Sequence, residues 1–162
     1  MTISLTASAT RAGDGHIYCE VQKTQARSKE IHNPDGPNRI LGEFFLALNV
    51  TALQETVYIP ISIASGKKPT GLVYQIEGTA EGVISTTDIS CRGEGVSQVT
   101  LGTILYARIP LGKTATFRIL IEMNGKPGKE YKIVINRINY KLDISAARYK
   151  KFDTTIGTEI LR

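Results

Sequence analysis

The 162-residue sequence predicts an all-β domain with antiparallel pairing, and three observations carry that prediction. Apolar residues recur at every second position over long stretches, as they do in half-buried strands. Turn formers punctuate the chain at intervals of roughly 8 to 15 residues, and no segment holds a convincing helical period. Residues 114–142, TATFRILIEMNGKPGKEYKIVINRINYKL, show the pattern best. Ala115, Phe117, Ile119, Ile121 and Met123 are in phase, Pro127 and Gly128 supply turn chemistry, and Tyr131, Ile133 and Ile135 resume the alternation. That reads as two long strands joined by a tight turn, a hairpin. From Ile138 the apolar set moves to even positions, Ile138, Tyr140 and Leu142, which predicts a bulge near Asn136 and Arg137.

The other elements follow in order. Ile3, Leu5 and Ala7 alternate over residues 2–8, RAGDG at 11–15 is a turn, and Ile17, Cys19 and Val21 begin a strand over 16–24. Turn formers crowd residues 29–38, an expected exposed loop. Phe44, Leu46, Leu48, Val50 and Ala52 define a strand over 43–53, and Val57, Ile59, Ile61 and Ile63 another over 55–63. Pro60 lacks a backbone donor, so that strand lies at an edge or is broken there. A turn at 65–71 leads to strands beginning at Leu72, over 83–91 and over 103–109, and a last strand is expected over 154–161. Eight or nine short strands favour a sandwich over a closed barrel, whose strand spacing is more even.

The length suits one domain over residues 1–162, large enough to bury a core without metals or disulfides. Composition is globular, no apolar run approaches the roughly 18 residues of a membrane-spanning helix, and the N-terminus has no export-signal pattern. Either a cytoplasmic or particle-associated protein or a domain of a longer secreted precursor fits. The net charge of +5 is uneven: residues 1–100 hold 8 Lys/Arg against 10 Asp/Glu, and residues 101–162 hold 12 against 5. A basic C-terminal part attracts anionic polymer or the acidic face of a second copy, or it only solvates strand faces.

Two segments carry a family resemblance. LALNVTALQETVYIPISI (46–63) and IPLGKTATFRILIEMNGKPGKEYKIVINRINYK (109–141) resemble strand pairs of immunoglobulin-like modules of bacterial secreted and surface proteins. The resemblance implies an immunoglobulin-like antiparallel β-sandwich serving as an extracellular spacer, adhesion or stalk domain. The chain departs from antibody-type domains in having no Trp, and in placing several strands after Cys91.

The chemistry-bearing residues are few. Cys19 and Cys91 both fall in phase with apolar neighbours, which allows a disulfide in an oxidising compartment or two buried free thiols. His16, Cys19, His32 and Cys91 lack a zinc-knuckle spacing, and Ser28, His32 and Asp35 share one loop without the distant supporting segments a catalytic triad uses. No nucleophile elbow, phosphate loop or zinc-protease motif occurs. No enzyme, cofactor or metal is therefore expected. The sequon Asn49-Val50-Thr51 falls inside a strand. The best candidate contact surface is basic: Lys126, Lys129, Lys132 and Lys141 on the expected hairpin, with Arg148, Lys150 and Lys151, interleaved by Tyr149 and Phe152. The sequence thus predicts a non-enzymatic structural or adhesion module acting through other subunits or copies of itself. The alternatives are an anionic-polymer (cell-wall or nucleic-acid) binder using the basic part, or a viral or phage particle subunit.

Overall fold

The computed structural model describes residues 5, 7–66 and 70–162. The described residues form twelve strands: β1 (Arg11–Gly13), β2 (Ile17–Ile31), β3 (Arg39–Ala52), β4 (Val57–Pro60), β5 (Ile63–Ala64), β6 (Leu72–Gly78), β7 (Val83–Arg92), β8 (Ser97–Leu101), β9 (Ile104–Ile109), β10 (Thr114–Gly125), β11 (Tyr131–Tyr140) and β12 (Lys150–Gly157). The excess over eight or nine comes from short pieces. β1 and β5 are three and two residues long, and β8, SQVTL, has too little alternation to read. Of the strand expected over 2–8, residues 2–4 and 6 lie outside the described residues and 5, 7 and 8 are not in a strand; residues 67–69 of the turn at 65–71 also lie outside them.

The strands make a five-stranded sheet β1-β2-β3-β10-β7, a four-stranded sheet β12-β11-β6-β5 and a three-stranded sheet β4-β9-β8. Pairing within them is antiparallel except between β5 and β6. Mutual hydrogen bonds between Tyr58 and Lys141 join the two smaller sheets. One core is shared: Phe44, Leu46 and Leu48 of β3 and Phe117, Ile119 and Ile121 of β10 meet Tyr131, Ile133 and Ile135 of β11 and Val57 and Ile59 of β4. The fold is all-β, built of antiparallel sheets packed in layers, and is not a barrel. Among the described residues no helix is long and apolar enough to cross a membrane.

Register explains which sequence expectations hold. Ladders β10–β3 and β10–β7 carry the odd residues of β10 inward, as the alternation requires. The phase slip in β11 is a register shift between Ile135 and Arg137 in both of its ladders, the bulge expected from the change of buried face. The hairpin expected from residues 114–142 is corrected, because β10 and β11 belong to different sheets. Gly128 does take positive φ, +71°, in the turn. The chain nevertheless crosses from one layer to the other, with the buried Tyr131 hydroxyl accepting the Lys126 N–H at 2.8 Å. Turn chemistry specifies a reversal and leaves open which sheet follows. The long hairpin is instead β2–β3, paired from Ile17↔Ala52 to Ile31↔Arg39, which shortens the loop expected at 29–38 to residues 32–38.

Pro60 ends β4 rather than lying on a free edge. It is buried, and β4 sits between β9 and the chain just after β11. The edge around Pro60 is therefore no assembly surface.

Candidate functional site

The layers meet along two lateral seams, and they are built differently. On one side the chain ends stitch the layers together. The Ala9 N–H donates to the Thr155 carbonyl at 3.1 Å, the Glu159 N–H donates to Thr24 Oγ1 at 2.8 Å, and Leu161, paired with Tyr131 in its own layer, sets its side chain against Gly42 of β3 in the other. Nearby, the Tyr140 hydroxyl donates to Asp14 Oδ2 at 2.7 Å, while Asp14 Oδ1 accepts the His16 and Ile17 N–H groups. Burial alone would raise the Asp14 carboxyl, but these hydrogen bonds, with the nearby imidazole, hold it below the usual aspartate value. Burial and the same carboxylate push the Tyr140 phenol above its ordinary range.

On the other side β6 and β7 diverge after residues 79–82, one into each layer. Among the described residues β5 covers β6 only at Leu72 and Val73, and β7 pairs with β10 alone. The edge of β6 beyond Val73 and the whole outer edge of β7 therefore have no ladder partner among the described residues. Between them lies an open groove of about 550 Å³ lined by Ser65, Tyr74, Gln75, Ile76, Ile84 and Asn136, among others. It continues past Ile63 and Ala64 to Ser85, Thr86 and Thr87. The β11 bulge supplies Asn136, whose Nδ2 donates to Gln75 Oε1 at 3.3 Å and whose buried Oδ1 has no partner among the described residues. Apolar walls, an orphan acceptor and two unpaired strand edges suit an extended peptide.

The basic surface expected from sequence is not assembled. Lys132 and Lys141 are 3% and 8% exposed. The Lys132 ammonium donates to Ser8 Oγ at 2.9 Å and faces Glu77 at 3.9 Å. Lys141 Nζ lies over the Tyr149 and Tyr106 rings, 4.6 and 5.7 Å from their centroids, and the two hydroxyls are 2.9 Å apart. Burial and that hydroxyl contact raise the Tyr149 phenol. Phe152 packs into the core, so Tyr149 and Phe152 form no stacking platform. Lys126 and Lys129 are exposed before Tyr131, whereas Lys150 and Lys151 pair opposite Tyr140 and Asn139, with Arg148 just ahead of them. The length of β11 separates the two groups by about 30 Å. Nor is the basic C-terminal part a separate region, since β10 lies between β3 and β7. Alternation along a strand could not reveal that Lys132 and Lys141 face covered surfaces.

Cys19 and Cys91 are free and buried. Strands β3 and β10 lie between them, a separation of roughly 14 Å at about 4.8 Å per strand. A disulfide needs Cα atoms within about 7 Å, so the bridge considered from sequence does not form in this fold. Burial pushes both thiols up to about 12. Ser28, His32 and Asp35 are exposed and make no hydrogen bond to one another among the described residues, where no group of three His, Cys, Asp or Glu side chains is placed to hold a metal ion. Asn49 of the sequon is half-buried in β3 and accepts from Thr116 Oγ1 at 2.6 Å. Comparison with protein-family models, with curated proteins and with solved structures finds no match to this chain.

Proposed function

We propose that this chain is a non-enzymatic structural module, an immunoglobulin-like β-sandwich that assembles by taking a strand from a neighbouring copy or partner subunit into its open seam. One observation carries the proposal: the ten-residue β7 edge, unpaired among the described residues, beside a groove with apolar walls. An incoming strand would satisfy β7 backbone groups and set alternate side chains against Tyr74, Ile76 and Ile84. Natural sheets protect free edges with Lys, Pro or a covering element. β7 carries neither Lys nor Pro, its protection being limited to Asp88, Arg92 and a bulge at Ser85, and Val83 at its start is 68% exposed. The resemblance of residues 46–63 and 109–141 to immunoglobulin-like surface modules points the same way, towards a surface or stalk setting.

The test is molar mass by size exclusion with light scattering at about 50 mM and about 500 mM salt, which separates charge contacts from strand pairing. A multimer that persists at high salt is expected. Thr87 is exposed and lines the groove, so Thr87→Lys should abolish that multimer while changing folding stability by no more than about 0.5 kcal/mol. Charge reversal at Lys150 and Lys151, on the far edge strand β12, should leave it intact. A monomer at every concentration and salt, with no bound partner strand, sinks the proposal.

A further inference from the structure

We infer that a hollow on the outer face of the five-stranded sheet, over Ala47, binds a uronate residue of an acidic glycan. This surface is separate from the seam and from the basic residues singled out between Lys126 and Lys151. Register builds it. Ala47 of β3 stands between Lys23 of β2 and Arg118 of β10, so two cations face each other across a methyl group, about 10 Å apart between their backbones. The next row along the strands is Gln25, Phe45 and Leu120. A bulge in β2 between Val21 and Lys23 adds Gln22 beside them, the sort of irregularity that re-aims side chains.

The resulting hollow, about 330 Å³, is lined by Gln22, Lys23, Phe45, Ala47 and Arg118, with no carboxylate. Lys23 and Arg118 are exposed, and neither makes an ion pair or side-chain hydrogen bond among the described residues. Like charges so placed repel each other and favour an anion between them. The floor selects which anion. Inorganic phosphate gains nothing from Phe45 and Ala47, whereas a uronate sugar has an apolar C–H face to lay on them. Its carboxylate would meet Arg118 and Lys23, and its hydroxyls Gln22. A second hollow of about 190 Å³, lined by Gln25, Arg27, Glu43 and Leu120, shares the Phe45 ring and offers polar contacts to an adjoining sugar. Single-stranded nucleic acid fits less well, because its stacking tracks use successive aromatic rings and Phe45 is the one ring in either hollow.

The experiment titrates the isotope-labelled full chain with a galacturonate trimer, a neutral trisaccharide and a short single-stranded DNA, following amide shifts. The trimer should shift residues around Ala47 and bind more weakly as salt rises. R118Q and K23Q should each lose about tenfold in affinity, as expected for a charge-assisted contact. F45A should lose at least as much, and K150Q should lose nothing. If F45A fails to fold, the two glutamine variants, at exposed positions, carry the test. The inference is overturned if the trimer leaves these amides unmoved at millimolar concentration. It is equally overturned if the neutral sugar or the DNA binds there as tightly. Either result leaves the seam proposal untouched.

Discussion

The closed seam and the open seam confront the same problem, two layers that must stop somewhere, and resolve it in opposite ways. The closed one uses residues far apart in the chain: Ala9 against Thr155, Thr24 against Glu159, and the Leu161 side chain against Gly42. The open one lies between consecutive strands, β6 and β7, which part at residues 79–82 and never pair. Closing a seam with chain ends fixes the fold's perimeter through long-range contacts. Leaving the other ajar preserves two hydrogen-bonding edges at the cost of a poorly packed rim. Stability should therefore concentrate on the first seam and association on the second.

The largest effect should come from Leu161→Ala. Leu161 is 2% exposed and packs into the core beside Gly42. Its truncation should cost about 3 kcal/mol in urea unfolding. A loss below about 1 kcal/mol would mean that the tail does not hold the layers together.

Tyr140→Phe should cost less, about 1.5 kcal/mol at neutral pH, by deleting a hydrogen bond to a carboxylate. The acid limb supplies a second check. Because the folded carboxyl of Asp14 titrates below its unfolded value, its contribution is present above about pH 4 and is lost as pH falls through the folded value. The phenol is one cause of that depression, so the gap between wild type and Tyr140→Phe should narrow as pH falls below about 4. A gap constant down to about pH 2 would remove Asp14 from the account.

At the open seam, Ile84→Ala should cost about 1 kcal/mol or less, since Ile84 is only half-buried. A cost equal to that of Leu161→Ala would erase the contrast between the seams. The smallest effect concerns the cysteines. Both thiols should resist a thiol-specific reagent in the native protein at pH 8 and react only after denaturation, because burial keeps them protonated. Native mass under oxidising conditions should show no internal bridge.

Much of this organisation was legible in residue order. Phe117, Ile119 and Ile121 announce a strand with one dry face, and the slip between Ile135 and Ile138 announces the β11 bulge. These signals are local, and a ladder with one wet face preserves them. The candidate seam was not legible, because it arises where β6 and β7 fail to pair, and an absent partner leaves no periodic trace. The hollow over Ala47 was hidden for a related reason: Lys23, Ala47 and Arg118 become neighbours only through register.

By itself the sequence determined that the chain would be all-β, where most strands lie, and which residues of β3 and β10 face the core, since a period of two needs only adjacent residues to express it. Tertiary structure alone decided that β10 and β11 part into different sheets, that Lys132 and Lys141 turn into packed surroundings, and that Cys19 and Cys91 stay two strands apart. Sheet order is set by long-range burial of whole faces, and no turn or alternation encodes it.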